Sequence, residues 1–374
     1  MMRLSLGTAA LVGLLLAGGS ARGGDWDLNL ARLCQIHLRN GTRLECGGGY
    51  KPAEHGEVDG VTADNAAFRS LMSELGVVFA PNILSPADTQ GFGGYNLSVE
   101  VGGTMINPKK LSGDKKITGK HWYWRAAKSV SGTTFANPTS VDDQRLEKEL
   151  PNTFAPTVTL MARKGLWIPV PSFELGVGVR HLIGSRMWSP QVEAKLSLHE
   201  GYQGWPLPAL SVRGTGARVM GSPDFNLTIA GLDFSISKHL GIASTFNLTP
   251  YVGYQLLWII ADSEVLDATP AVDAVAQTAT NAGGDPLLMN RCGVQDCAGN
   301  FTFADQSNIT RHRIFFGIRA NFYIASLLLE YSLFASGTKS DEVVEKVGTS
   351  VITLDIPDDA GTQHNISFAV AVDF

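Results

Sequence analysis

Residues 364–374, HNISFAVAVDF, alternate without a break. Ile366, Phe368, Val370, Val372 and Phe374 fall on one parity, and Asn365, Ser367, Ala369, Ala371 and Asp373 on the other. A strand turns successive side chains to opposite faces, so this segment has one greasy face and one small or polar face. A soluble sandwich strand can alternate in this way, but it rarely ends a polypeptide as this one does at Phe374.

The same period recurs upstream. From Gly93 onward, ten alternating segments lie near 93–106, 154–165, 172–184, 188–199, 206–219, 224–238, 243–259, 309–322, 324–336 and 364–374. In the third, Phe173, Leu175, Val177 and Val179 oppose Glu174, Gly176, Gly178 and Arg180. The sixth changes phase at Ala230-Gly231, which predicts a β-bulge.

The closing pattern, with Phe368, Val370, Val372 and Phe374, resembles the C-terminal assembly signal of Gram-negative outer-membrane β-barrels, whose final strand ends in Phe. The resemblance implies an all-β fold, a transmembrane antiparallel up-and-down β-barrel inserted by barrel-assembly machinery. Its apolar face would meet outer-membrane lipid and its polar face the lumen. With both chain ends in the periplasm, the connections near 166–171, 200–205, 239–242 and 323 face inward and are short. Those near 107–153, 260–308 and 337–363 face outward and are long, as this barrel class requires. Ten strands satisfy the even-number rule. Counting alternating pieces near 116–125 and 349–356 as crossings gives twelve, but puts the long Cys-containing loop in the periplasm. They are read instead as strand extensions above the membrane.

Residues 1–21 read as a secretory signal, with Arg3 before the apolar run Leu4–Ala17 and small residues Gly19-Ser20-Ala21 at the cleavage site. Residues 22–92 are read as a periplasmic N-terminal segment and 93–374 as the barrel. A short helix is expected near Trp26–Leu38. An amphipathic helix is expected over 64–76, with Asp64 as N-cap and Phe68, Leu71, Met72 and Leu75 at helical spacing. It packs at the periplasmic mouth, enters the lumen as a plug, or is a simple lead-in. Outside the membrane, four cysteines would oxidise. Loop closure favours the near pairs Cys34–Cys46 and Cys292–Cys297. No Cys-x-x-Cys or EF-hand spacing supports a metal site, and no cofactor is expected.

The inward parity collects charge: Glu100, Glu174, Glu193, Asp233, Glu330 and Asp373 against Arg163, Arg180, Lys195, Arg213, Arg311, Arg313 and Arg319. A ten-stranded barrel is narrow enough for side chains to fill much of it. Two readings stay open. The charges form ion-pair networks that hold the strands together, or they line a selective solute path in which the eighth strand's Arg residues favour anionic groups. Interfacial girdles are expected from Trp167, Trp188, Tyr202, Trp205, Tyr251, Trp258 and Tyr323.

The first long loop is basic and aromatic, through Lys109, Lys110, Lys115, Lys116, Lys120, Trp122, Trp124, Arg125 and Lys128. It suits lipopolysaccharide phosphates or is simply solvated. The formal charge of −5 argues against a nucleic-acid partner. No G-x-S-x-G, H-E-x-x-H or P-loop is present, so no enzyme is expected. Strand number resembles that of the omptin proteases, which place Asp and His at the extracellular rim; none of this chain's residues matches that site. Asn82-Ile-Leu-Ser-Pro-Ala-Asp resembles a region of FadL-type fatty-acid transporters, where an N-terminal segment plugs the barrel. The classes left are a narrow channel or transporter for a small solute, and a filled barrel acting as a structural or surface-interaction scaffold.

Overall fold

The computed structural model describes residues 26–46, 52–56, 58–106, 122–127, 154–167, 171–201, 207–242, 246–268, 299–337, 341–347 and 350–374. In the N-terminal part, β1 (Cys34–Leu38), β2 (Arg43–Glu45) and β3 (Val58–Ala63) form a small antiparallel sheet of order β2-β1-β3. The one-turn helix α1 (Pro52–His55) lies between β2 and β3, and α2 (Asn65–Phe79) follows. The helix expected near Trp26–Leu38 is instead a 3-10 turn over Leu30–Arg32 followed by β1. Ile36 and Leu38 share a buried face there, which is strand parity.

The rest is an antiparallel barrel. Its wall is β4 (Tyr95–Met105), β5 (Phe154–Trp167), β6 (Ser172–Leu182), β7 (Trp188–His199), β8 (Ala209–Val219), β9 (Phe225–Ser237), β11 (Phe246–Ser263), β14 (Gln306–Phe322), β15 (Ala325–Phe334) and β18 (Gln363–Asp373). Each pairs with the next, and β18 pairs with β4, which closes the ring at ten strands. A short β10 (Leu240–Ile242) extends the hairpin before β11. The pairs β12 (Leu266–Asp267) with β13 (Asn300–Phe301), and β16 (Asp341–Val347) with β17 (Ser350–Ile356), stand apart from the wall. The piece near 349–356 is therefore half of a separate hairpin, not a strand extension. In the piece near 116–125, Trp122–Ala127 is a 3-10 helix. β11 and β14 reach a few residues further into the 260–308 connection than their alternation predicts, where Ala261, Gln306 and Asn308 serve the helix described below.

Outward residues form an apolar belt that includes Leu97, Val99, Val101, Val177, Val192, Phe234, Ile314, Phe316, Leu329, Phe368 and Val370, all exposed. A belt of this extent is the surface a bilayer covers, and strands of this length suffice to cross one. No described helix is long and apolar enough to do so. One end of the barrel carries the short turns, including the Tyr323-Ile324 turn; the other carries the long connections.

The N-terminal segment does not sit outside the short-turn end, where the sequence reading put it. It caps the long-loop end. Trp26 N donates to Gly184 O and Asn29 N to Ala126 O, and Asp27 accepts from Arg186 N. From this cap α2 enters the lumen, and the chain leaves at the short-turn end through Gly91–Gly94. Burial is unbroken from Ala67 to Asp88. The cause is plain. A wall with so many inward Gly and Ser residues leaves a space that its own side chains do not fill, and the helix fills it.

This resolves the phase change in β9. The strand pairs with β8 and β11 without a register shift, so the expected bulge at Ala230-Gly231 is absent. Phe225, Leu227 and Ile229 point inward, as do Asp233, Ser235 and Ser237. Parity is constant; the lumen's contents change. Beside α2 the wall turns apolar, with Leu257 and Ile259 of β11 also inward. Beside the extended chain below it, the wall turns polar.

Candidate functional site

The lumen has two halves. In the long-loop half, α2 starts at Asp64, whose side chain accepts from Ala67 N at 2.9 Å. It ends at Phe79 because Pro81 forces the preceding residue out of helical geometry, and Ala80 has ψ 133°. Phe68, Leu71, Met72 and Leu75 are fully buried, worth roughly 2 kcal/mol each. Gly76 lets the helix approach β11 closely, since a Cβ there would meet Ile259 Cδ1 at 2.4 Å.

The helix's polar stripe latches onto the loops. Arg69 donates to Gln306 and Asn308, both at 2.8 Å, and Asp359 N donates to Ser70. Ser73 donates to Asp358 at 2.8 Å and accepts from Arg311 at 3.0 Å. Glu74 accepts from Tyr123 at 2.7 Å, from Gly361 N at 2.8 Å and from the Trp124 indole. Burial pushes the Asp358 carboxyl above its usual range, against the pull of Ala360 N and Arg311. Burial and the facing Glu74 carboxylate push the Tyr123 phenol far up, so it keeps its proton and donates it to Glu74.

In the short-turn half the chain is extended, and the wall grips its backbone. Five cations take six carbonyls. Arg180 donates to Val78 O and Ala80 O, Arg313 to Pro81 O, Arg163 and Arg213 to Ile83 O, and Lys195 to Pro86 O and Asp88 O, at 2.5–3.4 Å. Acceptors take the amides: Leu84 N donates to Glu330, Ala87 N to Ser237, Thr89 N to Glu200 and Gln90 N to Glu174, at 2.8–3.1 Å. Leu84 is held at φ 30°, a left-handed conformation that costs a side-chain-bearing residue about 1–3 kcal/mol.

The wall charges also pair with each other. Arg163 lies 2.6 Å from Glu193 and 3.4 Å from Glu100. Arg213 lies 3.1 Å from Asp233 and 3.7 Å from Glu193. Lys195–Glu174, Arg313–Glu330 and Arg319–Asp373 close at 2.9, 2.5 and 2.7 Å. All thirteen charged residues singled out by parity stand inside the barrel, buried except for the half-buried Asp373. Arg311 belongs to the helix latch, donating to Ser73, Ala335 O and Gly361 O. Sequence reasoning offered α2 as a plug and likened 82–88 to a plugging segment, but it paired the wall charges only with each other, and it did not single out Arg69, Glu74, Glu200 or Asp358. The two prolines that make 80–90 extended, Pro81 and Pro86, were the available signal.

At the short-turn mouth, Asp88 lies 3.6 Å from His239 Nε2 and 4.0 Å from Arg319. Thr89 donates to Glu200, whose carboxyl burial pushes up. The exit is pinched where Gly91 passes Gly165: a Cβ on Gly165 would stand 1.8 Å from Gly91 O. The wall is sealed beside it by Tyr95 and Phe374, which exchange backbone hydrogen bonds at 2.7 and 2.9 Å and stack at 5.6 Å. Phe368, Val370 and Val372 face outward beside them.

Cys34 and Cys46 are disulfide-bonded; Cys292 and Cys297 lie outside the described residues. Tyr251 is not a girdle residue. It points inward and donates to Glu330 at 3.0 Å, because it shares parity with Thr249 and Gln255. Tyr323 and Trp258 are exposed, Trp188 stacks on His181, and Tyr202 and Trp205 lie outside the described residues, as do the loop lysines 109–128. His181 and His199 stand at opposite ends of the barrel. Among the described residues no group of three His, Cys, Asp or Glu side chains is placed to hold a metal.

No family model matches the chain, and no curated protein does. Among solved structures it is similar to the outer membrane protease OmpT from Escherichia coli, with TM-score 0.33 and 7% identity, over 75% of this chain and 96% of that one. It is also similar to the transport unit of the autotransporter AIDA-I from Escherichia coli, with TM-score 0.31 and 6% identity over 83% and 98%. Neisserial surface protein A aligns with TM-score 0.25 and 10% identity over 75% and 99%. At these identities and scores, the fold rests on this chain's own strand pairing.

Proposed function

We propose that this chain is an outer-membrane β-barrel held shut by its own N-terminal segment, a rigid mount whose working surface is the long-loop face. The unbroken buried run from Ala67 to Asp88 through the lumen carries this reading. The apolar belt, the segregation of short turns from long loops, and the signal-like residues 1–21 support the outer membrane as its location. Lipid is the partner of the belt, lipopolysaccharide of the basic connection near 107–153, and the barrel-assembly machinery of the strand ending at Phe374. Planar-bilayer conductance of the folded, full-length protein tests it: a scaffold is silent under applied voltage.

A second reading is favoured by one observation. The wall behind residues 80–90 is mostly charged and polar, so a displaced segment would leave a largely hydrophilic passage. The barrel would then be a narrow conduit for small solutes. Stepwise currents from the intact protein would support this reading and overturn the scaffold.

A further inference from the structure

A module rests on one end of this barrel while the chain that leads from it into the wall starts at the other. Residues 26–63, a three-stranded sheet closed by the Cys34–Cys46 disulfide, dock on the long-loop rim. Besides the backbone bonds of Trp26 and Asn29, Trp26 packs edge-on against Trp124 at 5.9 Å and Asp27 pairs with Arg186 at 3.3 Å. β4 begins at the short-turn end. The 15 residues of α2 rise about 22 Å, and the extended stretch after it adds roughly 30 Å. Together these exceed the ~30 Å of a hydrocarbon core. The chain between module and wall thus crosses the whole barrel.

The inner wall is also chemically suited to a moving polypeptide. Its five cations and three Glu residues hold carbonyls and amides, groups that every residue carries. Among the plug's own side chains in this half, Asn82, Ser85, Asp88 and Thr89 make hydrogen bonds to the wall, and Ile83 and Leu84 pack on its few apolar inward residues, Tyr251, Phe315, Leu328, Ala369 and Ala371. A wall that reads backbone would accept successive stretches of one chain in the same track.

We propose that the lumen is a polypeptide passage: the barrel carries its own N-terminal module to the outer face and retains the last stretch, Val78–Gln90, arrested in a backbone-reading track. The proposal rests on the long-loop face being the outer one, and its test separates the two. In the full-length protein in intact cells, a peptide epitope is inserted singly at Asn40/Gly41 in the module, within 269–298 in a long connection, and at Tyr323/Ile324 in a short turn. Antibody should reach the first two from outside and the third only after permeabilisation. A labelled long connection with a module dark until permeabilisation overturns the passage and leaves the orientation standing. A dark long connection overturns the orientation and the passage with it.

The route is tested in the same cells with the pair Asn82→Cys and Ser367→Cys, whose native side chains meet at 3.2 Å. Peptide mass spectrometry should recover the 82–367 bridge from molecules whose module is labelled outside. A module displayed without that bridge means that the chain reached the surface by another way, and overturns the passage.

Discussion

Replacing Glu330 by Ala should loosen the threaded segment more than any other single wall change. One carboxylate, 1% exposed, serves four partners: Arg313 at 2.5 Å, Tyr251 at 3.0 Å, Ser332 at 3.1 Å and Leu84 N at 2.8 Å. Removing one member of a buried ion pair costs about 3–5 kcal/mol because the other charge stays buried. Each stranded donor adds about 1–3 kcal/mol. The four share one group, so the terms do not simply add, and we expect a net loss of roughly 5 kcal/mol. The Leu84 amide is the telling one, because the bond to Glu330 helps hold a backbone at φ 30°. Denaturant unfolding in detergent measures the loss, and limited proteolysis of residues 78–94 locates it. Glu330→Gln keeps an acceptor oxygen and should lose about half as much. Glu264→Ala, at an exposed side chain bonded to Asn226, should stay within about 0.5 kcal/mol of wild type. If Glu330→Ala unfolds within about 1 kcal/mol of wild type, with residues 78–94 still protected, the wall does not hold the thread as argued.

Gly165→Ala should cost about 1–3 kcal/mol, because its Cβ would meet Gly91 O at 1.8 Å, whereas Gly214→Ala meets nothing within 4 Å and should be near neutral; paired unfolding curves decide it. Phe374→Ala removes the stack on Tyr95 at the barrel seam, worth about 1 kcal/mol; the amount of heat-modifiable protein in the outer membrane should fall while export continues, and unchanged amounts would refute an assembly role. Asp358 carries a raised pKa from burial, so the native state binds its proton more tightly than the unfolded chain does. Its contribution to stability is therefore largest at acid pH and falls as pH rises from the unfolded value toward the native one. Asp358→Asn mimics the protonated form and should stabilise at neutral pH, with the advantage shrinking as pH falls toward 4. A difference from wild type that does not change with pH would show that Asp358 is not the titrating group.

The wall was legible in the sequence because alternation is a local property. Val370 faces lipid and Ser367 the lumen by parity alone, and no distant contact is needed to know it. The thirteen inward charges were legible for the same reason, as was the N-cap at Asp64. What alternation could not carry is which objects fill the space those faces enclose. The apolar inward residues Leu227 and Ile229 break the expected polarity of β9, and read locally they suggested a bulge. They are inward because α2 lies against that part of the wall, which is decided by a contact between residues about 160 positions apart in sequence. Tyr251 was taken for an interfacial aromatic from its place near a strand end, although its parity with Thr249 and Gln255 already turned it inward; its partner there, Glu330, is what only the tertiary structure supplies. The end of the barrel on which the N-terminal segment sits is likewise unwritten in any period. It follows from tertiary contacts alone: Trp26 and Asn29 bond to the long-loop rim at Gly184 and Ala126, while Gly93 leaves beside Gly165 at the other end.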